Sequence, residues 1–253
     1  MACLLASALF GCSPATQCDD TDASDDCLRV LFIGNSYTFV NDMPTMFSKL
    51  AASGNHHVEV RMAAEGGWTL AEHLNSTTTN DKITSSRWDF VILQEQSQIP
   101  ASEEARRQGM VPAARALASK IRESGAGPVL FMTWAHRGGW PQQGSPDYET
   151  MQSKVNTAYL QLARELSVPV APVGYGWGIA IHQYPELDLW QADGSHPTEQ
   201  GTYLAACTFY AVFFRQSPIG LGYQAGLPKG AAQSIQMIAS DTVLGNPSQW
   251  NLP

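Results

Sequence analysis

The sequence predicts an α/β protein: a doubly wound, mostly parallel five-stranded sheet flanked by helices. Three observations carry the prediction. Short apolar runs recur from residue 29 onward, helical stretches stand between them, and the runs end at glycine or polar clusters. Parallel strands are buried on both faces, so they read as continuous apolar runs rather than alternating ones.

The elements follow in order. RVLFIG (29–34) is the first strand. MPTMFSKLAASG (43–54) reads as a helix with Pro near its start and Gly past its end. HVEVRMAAEGG (57–67) alternates and breaks at paired glycines, and WDFVILQ (88–94) is a core strand. The helical stretch 102–125 carries Pro112 inside it, which must kink or split it because proline removes a hydrogen bond and clashes with the preceding turn. PVLFMTW (128–134) is the fourth strand, and 147–167 is a long helix capped by Asp147. VPVAPVG (168–174) reads as the fifth strand, 198–216 as the closing helix, and 217–253 as a segment packed beside the domain or over part of its rim.

The formal charge of −8 is unevenly placed, since Asp19, Asp20, Asp22, Asp25 and Asp26 crowd a stretch without a basic residue. No basic run is present to meet phosphates, which excludes nucleic acid as the expected partner. The first dozen residues, MACLLASALFGC, are small and apolar like the core of an export signal, and too few to span a bilayer as a helix. LFGC resembles a bacterial lipobox, with Cys12 as the lipidated residue and the membrane tether. The expected organisation is an export signal over 1–12, an acidic flexible tether over 13–28 and one domain over 29–253. The protein is expected outside the cytoplasm, anchored or free, as a monomer. Cys18 and Cys27 can form a disulfide there, while Cys207 reads as a buried small residue.

Ligands of such sheets bind beyond the C-terminal ends of the strands, so those positions are the ones to read. They hold Asn35 and Ser36 in GNSYT, Gly67 and Trp68 in EGGWT, Gln94 and Gln96 in QEQS, and His136 in WAHRGGW. ADGSHP, before the closing helix, brings Asp193 and His196 within three residues of each other. A serine attacks a carbonyl when an imidazole takes its proton and a carboxylate orients the imidazole. Singly, Ser36 reads equally as a helix cap, Asp193 as an Asx turn and His196 as a surface residue. Jointly they read as nucleophile, orienting acid and base. The N–H groups of Ser36 and Gly67 and the amide of Gln96 are the candidate oxyanion donors. Asn35, Trp68, Gln94 and His136 are candidate substrate contacts, and Gln94 is the alternative donor. Trp134, Trp140 and Trp177 fall in or near the same segments, where a ring can stack on a sugar or pack the core. The remaining histidines lack the spacing of a metal site, and no metal or organic cofactor is expected.

These residues in this order resemble the SGNH (GDSL-type) hydrolases, in a bacterial subfamily with a GNSYT first block. GNSYT resembles the family's first block with Asn35 in place of the usual Asp, GGWT its second, and DGSHP its last. The third block departs: QEQS stands where Gly-x-Asn-Asp is usual, so Gln96 replaces an asparagine. The resemblance implies a flavodoxin-like fold and a serine esterase working through an acyl-enzyme. Its expected substrate is a short acyl group, acetyl above all, on a carbohydrate. An O-acyltransferase with the same triad, or a tethered glycan-binding protein without catalysis, are the alternatives.

Overall fold

The computed structural model describes residue 18 and residues 27–252. The export signal, Cys12 and most of the acidic segment lie outside the described residues. Strand β1 (Cys27–Gly34) leads through a short helix α1 (Ser36–Phe39) and α2 (Met43–Ser53) to β2 (His57–Ala64). Helices α3 (Leu70–Asn75) and α4 (Thr77–Thr84) precede β3 (Phe90–Leu93). Then come α5 (Glu103–Ala105), α6 (Val111–Glu123), β4 (Gly127–Phe131), α7 (Tyr148–Leu166) and β5 (Val170–Ala171). Helices α8 (Val173–Gln183), α9 (Glu199–Phe214) and α10 (Lys229–Leu244) complete the chain.

The five strands lie in the order β2-β1-β3-β4-β5 and every pair is parallel. The chain thus steps outward from β1 to β2 and returns past β1 through β3, β4 and β5. Right-handed crossovers then put α2 on one face and the helices that follow β2, β3 and β4 on the other. Val30, Leu31, Phe32 and Ile33 of β1 are all fully buried, which is why this strand reads as an unbroken apolar run. Phe32 meets Phe47 of α2 and Phe209 of α9 edge-on, at 6.3 and 5.2 Å between ring centres. Cys207 is fully buried in α9.

The sheet starts two residues earlier than expected, at Cys27, because Cys27 and Leu28 pair in register with His57 and Val58. Cys27 is disulfide-bonded to Cys18. The fifth strand is shorter than expected. Pro169 and Pro172 bracket Val170 and Ala171, and proline cannot donate to a ladder, so only two residues pair at this edge. Residues from Val173 turn into α8 instead. Pro112 has the expected effect on 102–125: residues Arg106–Met110 form a π-type turn that separates α5 from α6. Asp147 caps α7 as expected, its Oδ1 accepting the Thr150 N–H at 2.8 Å. The segment after residue 217 packs beside the domain: α10 lies along α9 and α8, and Trp250 is buried.

Candidate active site

The strand ends converge as the topology requires. Asn35, directly after β1, accepts the Tyr37 N–H at 3.1 Å and so caps α1. Ser36 is thereby placed at the first helical position, where its N–H has no acceptor within the helix. The Asn35 N–H donates to Gln94 Oε1 at 2.8 Å, and its side-chain amide donates to the Trp68 carbonyl at 2.9 Å. Asn35 thus holds the first and second blocks together while lining the cleft beside Ser36.

The turn before α9 closes on itself. Asp193 Oδ1 accepts the N–H groups of Ser195 and His196 at 2.9 and 3.0 Å, and Oδ2 meets His196 Nδ1 at 2.5 Å. His196 Nε2 lies 2.9 Å from Ser36 Oγ. A carboxylate only accepts, so Nδ1 carries the ring proton and Nε2 is left to accept from the Ser36 hydroxyl. The bond to His196 holds the Asp193 carboxyl down at about 2, keeping it ionised as this arrangement needs. Ser36, His196 and Asp193 thus form a continuous hydrogen-bonded chain across the end of the sheet.

A cleft of about 320 Å³ opens beside Ser36. Gly67 lines it at φ +75°, in a turn closed by the Trp68 N–H on the Glu65 carbonyl. A left-handed residue at this third turn position calls for glycine. Gln96 lines the cleft too, and its Oε1 accepts from the Gln98 and Ile99 N–H groups at 2.8 and 3.3 Å. Those two donors fix the orientation of the amide. Its NH₂ end has no partner among the described residues and is free to donate. His136 is the other cleft residue anticipated from sequence, with Nε2 at 3.0 Å from Ser97 Oγ and 3.2 Å from Ser195 Oγ. Burial lowers its pKa.

One expectation is corrected, and one left open is decided. Gln94 is fully buried; its Oε1 accepts from Asn35 N–H and Thr38 Oγ1, and its NH₂ donates to the Glu95 carbonyl. It braces the nucleophile turn from beneath, so it is neither an oxyanion donor nor a substrate contact. Trp68 does not line this cleft but a separate hollow of about 360 Å³, with Phe39, Met62 and Glu65. Of the two readings open for Trp134 and Trp177, the core one holds, since both are fully buried. They stack on each other at 4.0 Å, and Tyr37 stacks on Trp134 at 4.5 Å. Trp140 is half-buried in a loop, paired with Ser145.

Sequence reasoning gave no role to Tyr37, Ser97, Ser195 or Glu95. The Tyr37 hydroxyl bonds Ser195 Oγ at 2.8 Å, extending the His136 network, and burial raises its pKa to about 12. Each of the four adjoins a residue that the sequence did single out, which was the available signal. Among the described residues no group of three His, Cys, Asp or Glu side chains stands close enough to hold a metal ion.

An all-parallel α/β sheet with a serine–histidine–aspartate chain at its strand ends is the build of a serine hydrolase. A protein from Slackia heliotrinireducens assigned by name to the SGNH hydrolases is 31% identical, with 72% of this chain and 97% of that one covered and a TM-score of 0.62. The chain belongs to the SGNH hydrolases. A DUF4886 family protein from Bacteroides uniformis shares the fold at 18% identity and a TM-score of 0.74, over 87% of this chain and 95% of that one. So does a catalytic mutant of an acetylxylan esterase from Geobacillus stearothermophilus, at 17% identity and a TM-score of 0.52, over 72% and 92%. No protein-family profile matches the chain, and no curated protein does.

Proposed function

We propose that the protein is a serine esterase that removes short acyl groups, acetyl above all, from a carbohydrate through an acyl-enzyme. The observation that carries this reading is the unbroken chain Asp193–His196–Ser36, at 2.5 and 2.9 Å. Ser36 Oγ attacks the ester carbonyl while His196 Nε2 takes its proton. Asp193 holds the ring in the Nδ1–H tautomer and stabilises the imidazolium that forms. The developing oxyanion receives the N–H groups of Ser36 and Gly67 and the amide of Gln96. His196 returns the proton to the leaving alkoxide, then activates water to release the acid and free Ser36.

The sugar preference draws on two further points. One is the named activity of the Geobacillus esterase with which the fold is shared. The other is the second hollow, where Trp68 and Phe39 stand beside Glu65, Ser76 and Thr78. His136 with Ser97 and Ser195 offers a polar wall to sugar hydroxyls. The Cys18–Cys27 disulfide supports the reading of an exported protein, since such bonds persist in oxidising compartments.

Turnover of p-nitrophenyl acetate is expected for the wild type, falling to background in Ser36→Ala and His196→Ala. Acetylated xylo-oligosaccharides are expected to be deacetylated, and p-nitrophenyl octanoate to be turned over more slowly than the acetate. Wild-type rates that both variants retain would overturn the reading.

A further inference from the structure

We propose that Glu95 is a positioning residue of this site: its buried carboxyl ties the segment carrying Gly67 to the segment carrying Gln96, and so sets the separation of two oxyanion donors. The proposal rests on the roles given above to Gly67 and Gln96.

Glu95 follows β3 and is fully buried, where an acid is rare unless something pairs with it. Its Oε1 accepts two backbone N–H groups from different parts of the chain: Leu70 at 3.1 Å and Gln96 at 2.8 Å. Leu70 opens α3, three residues beyond Gly67, and a helix's first N–H groups have no acceptor of their own. A single oxygen therefore bridges the second block to the third. The Glu95 N–H in turn donates to the Tyr159 hydroxyl at 3.3 Å, anchoring the bridge to α7.

The neighbours complete the pattern. Gln94 braces the nucleophile turn through Asn35 N–H and Thr38, and Gln96 accepts from its own loop. Three consecutive side chains thus reach three different segments of the cleft wall. This gives the QEQS block a physical reason: the polar run ties the nucleophile, the glycine turn and the amide donor together. Both N–H groups fall on one carboxyl oxygen, and Oε2 is buried without a partner among the described residues. That distribution suits a neutral carboxyl with its carbonyl oxygen as acceptor and its proton on Oε2. Burial, which raises the pKa to about 7, acts in the same direction. A glutamine side chain has the same acceptor in the same place.

The test compares the full chain with Glu95→Gln and Glu95→Ala. It reads kcat and KM on p-nitrophenyl acetate and the backbone amide resonances of Gly67, Leu70 and Gln96. Glu95→Ala is expected to keep KM within about twofold and lose about 10- to 100-fold in kcat, less than outright removal of a donor. Its Gly67 and Gln96 amides should shift while those of α9 stay in place. Glu95→Gln should restore most of the kcat and the wild-type resonances. Where Glu95→Ala does not fold, Glu95→Asp, one methylene too short to reach both amides, should show the same loss.

Unmoved Gly67 and Gln96 amides in the short variants, or a Gln variant as impaired as the Ala one, would overturn the proposal. If the wild type turns over no ester, the esterase reading fails. The resonances still decide the bridge: shifts in Glu95→Ala that Glu95→Gln reverses uphold it, and their absence overturns it.

Discussion

Ser36 and His196 are 160 residues apart in the chain, and their bond forms because two local turns are each closed before they meet. Asn35 caps the helix that starts at Ser36, and Asp193 folds the DGSHP turn around His196 through both carboxylate oxygens. Preorganisation of this kind lowers the barrier because the groups do not reorganise during reaction. Glu95 shows the opposite cost. Its carboxyl titrates near 7 in the folded protein against 4.5 in an open chain, because burial disfavours the charge. Below pH 4.5 both states hold the proton and the group is neutral to stability. Between pH 4.5 and 7 only the unfolded chain releases it, so stability falls as pH rises, and the full penalty is present above 7. Exposed Glu72 adds a repulsive charge to this shift, and Tyr159 faces Glu95 as a neutral hydroxyl. Glu95→Gln is therefore expected to gain on the wild type by on the order of 3 kcal/mol in this window. Urea unfolding at pH 4 and pH 8 measures it; a wild-type to Gln difference that does not change with pH would count against a neutral Glu95.

At the scale of elements, packing geometry decides where the sequence pattern is silent. A Cβ on Gly174 would lie 1.9 Å from the Thr133 carbonyl oxygen and 2.5 Å from the Gln152 amide. Helix α8 can approach the end of β4 only with glycine there. Gly174→Ala is expected to lower stability by about 2 kcal/mol or more, read as a fall in Tm, because backbone must move to admit a methyl group. The same helix marks the limit of sequence reading. Residues 168–174 are apolar and β-branched enough to read as a strand, and three glycines argue against a helix over 173–183. Tertiary packing overrides both. By contrast α7, with its Asp147 cap, and β1, with its unbroken apolar run, are plain from the sequence. The site divides the same way. Ser36, Gly67, Gln96, His136, Asp193 and His196 can be read from motif and strand-end position. The bridging role of Glu95 and the core placement of Trp134 and Trp177 cannot, because burial at a strand end depends on which loops cross it.

The whole molecule has two poles. The cleft lies where the strands end, and the Cys18–Cys27 disulfide lies where β1 begins, eight residues away along the strand. At about 3.3 Å per residue that is roughly 25 Å. Closing a loop with a sequence separation of 9 confines the unfolded chain, and on that account opening it costs about 2–3 kcal/mol. Reduction, or Cys18→Ser, is expected to lower Tm while leaving kcat/KM on p-nitrophenyl acetate unchanged. Loss of activity at a temperature where the reduced protein remains folded would show that the two poles communicate. The bridge also fixes an orientation. With Cys18 pinned at the pole opposite Ser36, a support coupled at residue 18 itself would meet the domain at the end away from the cleft. Immobilised in that way, the enzyme would meet a polymer too large to pass behind it as readily as it meets a dissolved ester.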